Sequence, residues 1–172
     1  MKNIYLVGFM ATGKTSVGRA LAKKLNKDFF DLDDLIEQRE NMRIVDIFND
    51  KGEPYFRRIE SQIIKEVSGK SDLVIGCGGG AIVNEENLAT LKEGGIVICL
   101  KAKIDTILDR SKGTEQRPLL NVEDPKNRIR ELLDKREPFY NQSDHIIDTA
   151  GLDINAVVDK IITIVDSESK EP

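Results

Sequence analysis

A single α/β domain, its mainly parallel sheet of five strands covered by helices on both faces, is the fold class that this 172-residue sequence predicts. Three observations lead to it. Five short apolar runs are spread along the chain, segments of helical periodicity lie between them, and neither a linker nor an internal repeat divides the whole. Parallel strands need crossover connections, which are right-handed and carry helices over both faces of the sheet.

The first run, IYLVG at 4–8, leads directly into GFMATGKT at 8–15, which fits G-x-x-x-x-G-K-[ST]. Gly8 and Gly13 let the chain curl with its N–H groups facing inward, an anion nest at the start of a helix. Lys14 can reach the β- and γ-phosphates of a nucleoside triphosphate, and the Thr15 hydroxyl can ligate Mg²⁺ directly. Ala11, Thr12 and Ser16 complete the predicted nucleotide-binding set. In the helix that follows, Val17, Ala20, Leu21 and Leu25 share a face while Arg19, Lys23 and Lys24 point away.

The second run, FFDL at 29–32, brings Asp31 and Asp33. Residues two apart on a strand end point the same way, so both carboxylates can face one site. One could hold hydrated Mg²⁺; the other could accept a hydrogen bond from an acceptor hydroxyl and take its proton. Acidic pairs after strands also serve as helix caps, a role that falls here to Asp34. Residues 33–60 read as wholly helical and polar, an insertion after the second strand. Pro54 suits a first helical turn, and Ile59, Ile63, Ile64 and Val67 form the apolar face of the helix carrying Arg57 and Arg58.

The third run, LVIG at 73–76, ends in CGGGA. Gly78, Gly79 and Gly80 at the C-terminal end of a parallel strand leave the crevice there open to a ligand, the alternative being a tight turn. The fourth run, GIVICL at 95–100, precedes a stripe of Ile104, Ile107 and Leu108, then KGTEQRPLLNVED at 112–124, read as a mobile surface loop. Arg117 in that loop is a cation able to close over a triphosphate. Ile129, Leu132 and Leu133 mark another helix, with Arg136 beyond it before a proline. The fifth run, HIID at 145–148, and a helix through Ile154, Val157, Val158, Ile161, Ile162 and Val165 complete the alternation; the tail DSESKEP is expected to fray. Most of the five strands read as buried on both sides.

Composition removes several function classes. A net charge of −4 gives no support for general nucleic-acid or acidic-membrane binding, so an anionic ligand must be caught by local cations and N–H groups. Two cysteines and one histidine offer no metal-ligand spacing; Cys99 reads as a buried small residue, and a disulfide with Cys77 is left open. His145 reads as structural. No run reaches the ~18 apolar residues of a membrane span, and the apolar start lacks a small-residue cleavage site. A cytoplasmic monomer is the expectation.

A phosphate loop alone does not say what becomes of the phosphate. A guanine-nucleotide switch should carry Asn-Lys-x-Asp after a late strand, whereas the Asn-Lys-Asp here is at 26–28. An ATPase motor should end an apolar strand in a carboxylate, whereas the third strand ends in glycines. The carboxylates imply a hydroxyl acceptor, and the spare arginines, bidentate partners of carboxylate and phosphate, imply that the acceptor is itself an anion. Another small-molecule kinase, of gluconate or of nucleoside monophosphates, and a nucleotide-dependent regulator without catalysis remain as alternatives.

Taken together, GFMATGKTSVGRALA, FFDLDDLIEQR, IFNDKGEPYFRRIE, GGGA, RPLL and KREPFY resemble the shikimate kinase family in order and spacing, over essentially the whole chain. The resemblance implies a P-loop fold like that of nucleoside monophosphate kinases, with a five-stranded parallel sheet, a substrate-binding segment at about 33–60 and a lid at about 112–124. It implies transfer of a phosphoryl group from ATP, as MgATP, to the 3-hydroxyl of shikimate, on the route to chorismate and aromatic amino acids. On this chain Lys14 and Thr15 would hold phosphate and one Mg²⁺, with Asp31 reaching the ion through water. Asp33 would bind the shikimate hydroxyls as candidate base, Arg57 and Arg136 would grip its carboxylate, and Gly78, Gly79 and Gly80 would line its pocket. Arg117 would be the lid cation, Arg110 would lie against adenine, and Glu60 would orient Arg57. Two positions depart from the family pattern. Cys77 replaces a hydroxyl residue that is common before the triple glycine, and DINAV lacks a proline often placed near adenine.

Overall fold

Alternation within the first strand sets the layering. In β1 (Asn3–Val7), Tyr5 and Val7 enter one apolar core while Ile4 and Leu6 enter the other, and all four are buried. The computed structural model describes residues 2–111 and 122–168. Residues 112–121, which include Arg117 and most of the segment predicted as a lid, lie outside the described residues.

Four further strands join β1: β2 (Asp28–Asp31), β3 (Leu73–Gly76), β4 (Gly95–Lys101) and β5 (His145–Asp148). All are parallel, in the order β2-β3-β1-β4-β5. Val17 and Leu21 of α1 (Lys14–Leu25) and Val157, Val158 and Ile161 of α7 (Ile154–Glu168) close one face. The other is closed by α2 (Leu32–Glu40), α3 (Ile44–Ser68), α4 (Glu85–Gly94), α5 (Ile104–Ser111) and α6 (Pro125–Tyr140). Connections leave the central strand pair in opposite directions, β1 toward β2 and β3 toward β4. That reversal opens a crevice at the carboxyl ends of β1 and β3, where open α/β sheets bind their ligands.

Several expectations shift. The segment after β2 is not continuous helix: Asn41 ends α2 with left-handed φ, and Gly52 breaks α3 at φ 79°, ψ 168°. Pro54 then occupies the first turn of the renewed helix, as expected. Asp34 is not the cap. Because α2 starts at Leu32, Asp31 holds the N-cap position and accepts from the Asp33 N–H at 3.1 Å. The outer strands are only half buried, because β2 and β5 stand at the sheet edges; Ile146 is 43% exposed. The last helix runs on through Asp166, Ser167 and Glu168, whose carboxylate lies 2.9 Å from Nε2 of His145 on β5. Cys77 and Cys99 are free thiols; Cys77 follows β3 and is bonded to β1, on whose far side Cys99 lies in β4, so they are about 10 Å apart, beyond disulfide reach. Helix α4, with Asn84 as its cap and Leu88 and Leu91 inward, has no counterpart in the periodicities above. Among the described residues no helix is long and apolar enough to cross a membrane.

At the end of the sheet remote from the crevice, one buried side chain ties three elements. Asn3 donates from Nδ2 to the Lys70 carbonyl at 2.9 Å and to the Tyr5 hydroxyl at 3.0 Å, and its Oδ1 accepts from the Leu73 N–H at 3.0 Å. Tyr5 in turn donates to Ser68 at 3.1 Å. The α3–β3 turn is thereby fastened to β1. Asn3→Ala leaves a buried N–H and a carbonyl without partners and should cost about 2–3 kcal/mol of stability. Denaturant unfolding checks the loss, and the KM for MgATP should stay unchanged because the network is remote from the phosphate loop.

Candidate active site

The phosphate loop leaves β1 at Gly8, where a side chain would collide with the Leu100 carbonyl of β4. Gly13 caps α1 at φ 100°, a conformation closed to most L-residues, and Ala11 also sits at positive φ, 60°. Thr12 is buried and donates to the Phe9 carbonyl at 2.8 Å, which locks the loop internally. Lys14 folds back over the loop, its Nζ 2.9 Å from the Gly8 carbonyl and 2.8 Å from that of Phe9. Thr15 and Ser16 are exposed on the first turn of α1, and Thr15 donates to Oδ2 of Asp31 at 2.8 Å. Arg110, at the end of α5, reaches across to the Ala11 carbonyl at 3.2 Å.

Facing this loop is the glycine turn after β3. None of Gly78, Gly79 and Gly80 has positive φ, so the backbone conformation does not demand glycine; the surrounding space does. A Cβ on Gly78 would lie 3.0 Å from Oε1 of Glu60 and 3.1 Å from Oδ1 of Asp33. One on Gly79 would lie 3.3 Å from Nη1 of Arg136, 3.4 Å from the Met10 nitrogen and 3.5 Å from the Gly8 carbonyl oxygen. One on Gly80 would lie 2.5 Å from Nη2 of Arg57. The turn therefore packs directly on the phosphate loop while making room for two carboxylates and two guanidinium groups.

Three elements deliver those groups. Asp33 stands on the first turn of α2, brought beside Asp31 by the cap and not by strand alternation. Arg57 and the fully buried Glu60 share a face of α3, joined at 2.7 Å, while Glu53 holds the outer side of Arg57 at 3.1 Å. Arg136 is buried on α6, its guanidinium 5.7 Å from the centre of the Phe9 ring. Sequence reading missed Tyr140, one turn beyond Arg136, whose hydroxyl donates to the Gly79 carbonyl at 2.6 Å. Its only signal was its place in KREPFY.

The electrostatics follow from crowding. Burial, then the neighbouring Asp31 and Glu60 carboxylates, push Asp33 up to about 7, while the Lys14 ammonium pulls the other way. Burial also raises Glu60 against the pull of Arg57. Oε1 of Glu60 is buried without a hydrogen-bond partner among the described residues. Burial raises the Cys77 thiol far above its ordinary value, so this residue is a packed, neutral group under the site. Predicted site residues Gly8, Ala11, Thr12, Gly13, Lys14, Thr15, Ser16, Asp31, Asp33, Arg57, Gly78, Gly79, Gly80, Arg110 and Arg136 thus gather around one crevice; Arg117 lies outside the described residues.

A strand–loop–helix phosphate cradle at the switch point of a parallel sheet, with carboxylate and guanidinium groups facing it, defines a P-loop kinase. Comparison with known proteins narrows the class: the chain belongs to the shikimate kinase family, phosphotransferases acting on a hydroxyl of shikimate, and that family's model matches residues 10–166. The shikimate kinase of Thermodesulfovibrio yellowstonii is 50% identical over 162 residues, 94% of each chain. The solved structure of shikimate kinase from Acinetobacter baumannii in complex with shikimate superposes with a TM-score of 0.95 at 37% identity, covering 99% of this chain and 96% of the other. Shikimate kinase from Aquifex aeolicus gives a TM-score of 0.83 at 32% identity over 99% of both chains.

The Asp33 environment makes a signed prediction. A folded-state pKa raised above the unfolded value means that the stability contribution is present at low pH and is lost as pH rises from about 4 toward 7. Asp33→Asn, which cannot ionise, should therefore gain Tm relative to the native protein as pH is raised from 5 to 8. Thermal unfolding of both proteins across that range is the check, and a constant difference would contradict the crowding described.

Proposed function

We propose that this protein transfers the γ-phosphoryl group of ATP to the 3-hydroxyl of shikimate, giving shikimate 3-phosphate. One observation carries the reading: Arg57 and Arg136 come from different helices yet both border the same glycine turn, which also touches the phosphate loop and Asp33. Two guanidinium groups facing one pocket suit a carboxylate, which each can hold bidentately. Asp33 borders the same turn at Gly78, within the field of Lys14, positioned to accept a hydrogen bond from the acceptor hydroxyl. A carboxyl group poised near 7 is matched to taking a proton at neutral pH.

Catalysis is then placement and charge compensation, with little covalent work by the protein. The loop N–H groups and Lys14 hold the phosphates, and Lys14 exchanges its carbonyl partners on Gly8 and Phe9 for phosphate oxygens. Arg110 lies against the nucleotide's adenine, and Arg117 belongs to a lid at about 112–124 whose guanidinium neutralises charge on the transferred group. The segment at about 33–60 serves as the acceptor-binding part of a single kinase domain spanning 1–172.

Mg²⁺ fits the donor set as a hydrated ion shared with the phosphates. Thr15 and Asp31 present oxygens 2.8 Å apart at the end of the loop, and no all-protein cage of His, Cys, Asp or Glu exists among the described residues. Thr15 would hold the ion directly and Asp31 through water; when bound, it neutralises phosphate charge. We further assign the protein to the cytoplasm, as a monomer with ATP and shikimate as its partners and no role for membrane or nucleic acid.

The test is shikimate-dependent ADP formation from MgATP by the purified protein. Arg136→Ala should raise the shikimate KM by at least tenfold with little change in the KM for MgATP. Absence of acceptor-dependent turnover despite intact ATP binding would overturn the assignment, and an unaltered shikimate KM would remove Arg136 from the carboxylate site.

A further inference from the structure

Tyr140 is buried at the last turn of α6, and its hydroxyl meets both the glycine turn and the Arg136 guanidinium. Its hydroxyl donates to the Gly79 carbonyl at 2.6 Å, 61 residues away in sequence. Burial pushes its phenol up to about 12, with the Arg136 guanidinium beside it acting in the opposite sense, so it remains a neutral O–H donor throughout the working pH range.

This bond fixes more than a carbonyl. The chain has no cis peptide among its described residues, so the N–H of Gly80 points opposite to the carbonyl that Tyr140 holds. That N–H finds no backbone acceptor among the turn's bonds, which run from Ala81 N–H to the Gly78 carbonyl and from Val83 N–H to the Gly80 carbonyl. The turn has no Cβ atoms to wedge it and no positive φ to define it, so its peptide planes are oriented mainly by their hydrogen bonds. Arg136 stands one helical turn before Tyr140, on the same face of α6, with Nη1 3.3 Å from where a Gly79 side chain would begin. One tyrosine thus sets both the peptide plane and the guanidinium that border the acceptor pocket.

We propose that Tyr140 is a positioning residue for the acceptor: its O–H locks the Gly79–Gly80 peptide against α6, which aims the Gly80 N–H and holds Arg136 in register with the pocket. The inference rests on shikimate being the acceptor. It distinguishes the two halves of the site, because the phosphate loop, which also reaches Gly79 through Met10 and Gly8, is locked independently by its own Thr12 bond.

The experiment is steady-state kinetics and thermal unfolding of Tyr140→Phe, which removes the O–H and keeps the ring. A buried hydrogen bond of this kind is worth roughly a tenfold change in an equilibrium. The shikimate KM should rise by about five- to tenfold, with kcat and the KM for MgATP within about twofold of native. A double-mutant cycle with Arg136→Lys should show non-additive effects on the shikimate KM, since Tyr140 acts in part through the Arg136 guanidinium beside it. A lowered Tm with an unaltered shikimate KM would mean that Tyr140 only packs the core, and would overturn the proposal, as would strict additivity in the cycle. Native protein that fails to turn over shikimate would instead overturn the substrate assignment, so the two failures are distinguishable.

Discussion

Between Gly78 and Gly80 the chain leaves three Cβ positions empty, and four charged side chains stand beside the vacated space: Asp33, Glu60, Arg57 and Arg136. The rest of the crevice depends on that exclusion. With side chains on the turn, the carboxylates could not approach β3, the guanidinium groups could not share a pocket, and the turn could not pack on the phosphate loop. The backbone angles there are ordinary, so glycine is required by neighbours and not by conformation. An open pocket and a tight turn, the two readings available from CGGGA, prove to be compatible. The turn is real, running into a short 3₁₀ segment at Ala81–Val83, and its bareness is what admits the charged groups.

Those groups are arranged at an electrostatic cost that the site keeps partly unrelieved. The Asp31 and Glu60 carboxylates both bear on Asp33, where Lys14 compensates them incompletely, and Arg57 and Arg136 do the same for buried Glu60. Asp33 consequently sits near 7, and Glu60 keeps one buried oxygen without a partner among the described residues. Such frustration is tolerable because the sheet behind it is tightly packed: Val7, Ile75, Val97 and Cys99 are fully buried, and Asn3 fastens the opposite end.

Much of this was legible in the chain. The phosphate loop could be read because its chemistry is local: glycine spacing, a lysine and a threonine between a strand and a helix. The five strands could be read from apolar runs, most plainly in β1, β3 and β4, which are buried on both faces. What escaped depended on tertiary placement. Asp31 and Asp33 were grouped correctly for an incorrect reason, because a one-residue shift in the end of β2 moved Asp33 from strand to helix and made Asp31 the cap. The break at Gly52 leaves no mark in hydrophobic periodicity. Helix α4 was hidden because its inward apolar face is only Leu88 and Leu91, with the polar Asn87 buried beside them. Tyr140 was obscured by Pro138, which in a sequence suggests a helix end, although α6 runs through it to Tyr140. A hydrogen bond to a carbonyl 61 residues away has no signature along the chain.

The central claim is that two arginines from separate helices meet over one carboxylate at a bare turn, and crystallography of the protein with ADP and shikimate tests it most directly. The account predicts one ligand carboxylate bonded by both Arg57 and Arg136, with an acceptor hydroxyl at Asp33 and the ring against Gly79. A ligand whose carboxylate touches neither arginine, or which lies elsewhere than the glycine turn, would contradict it.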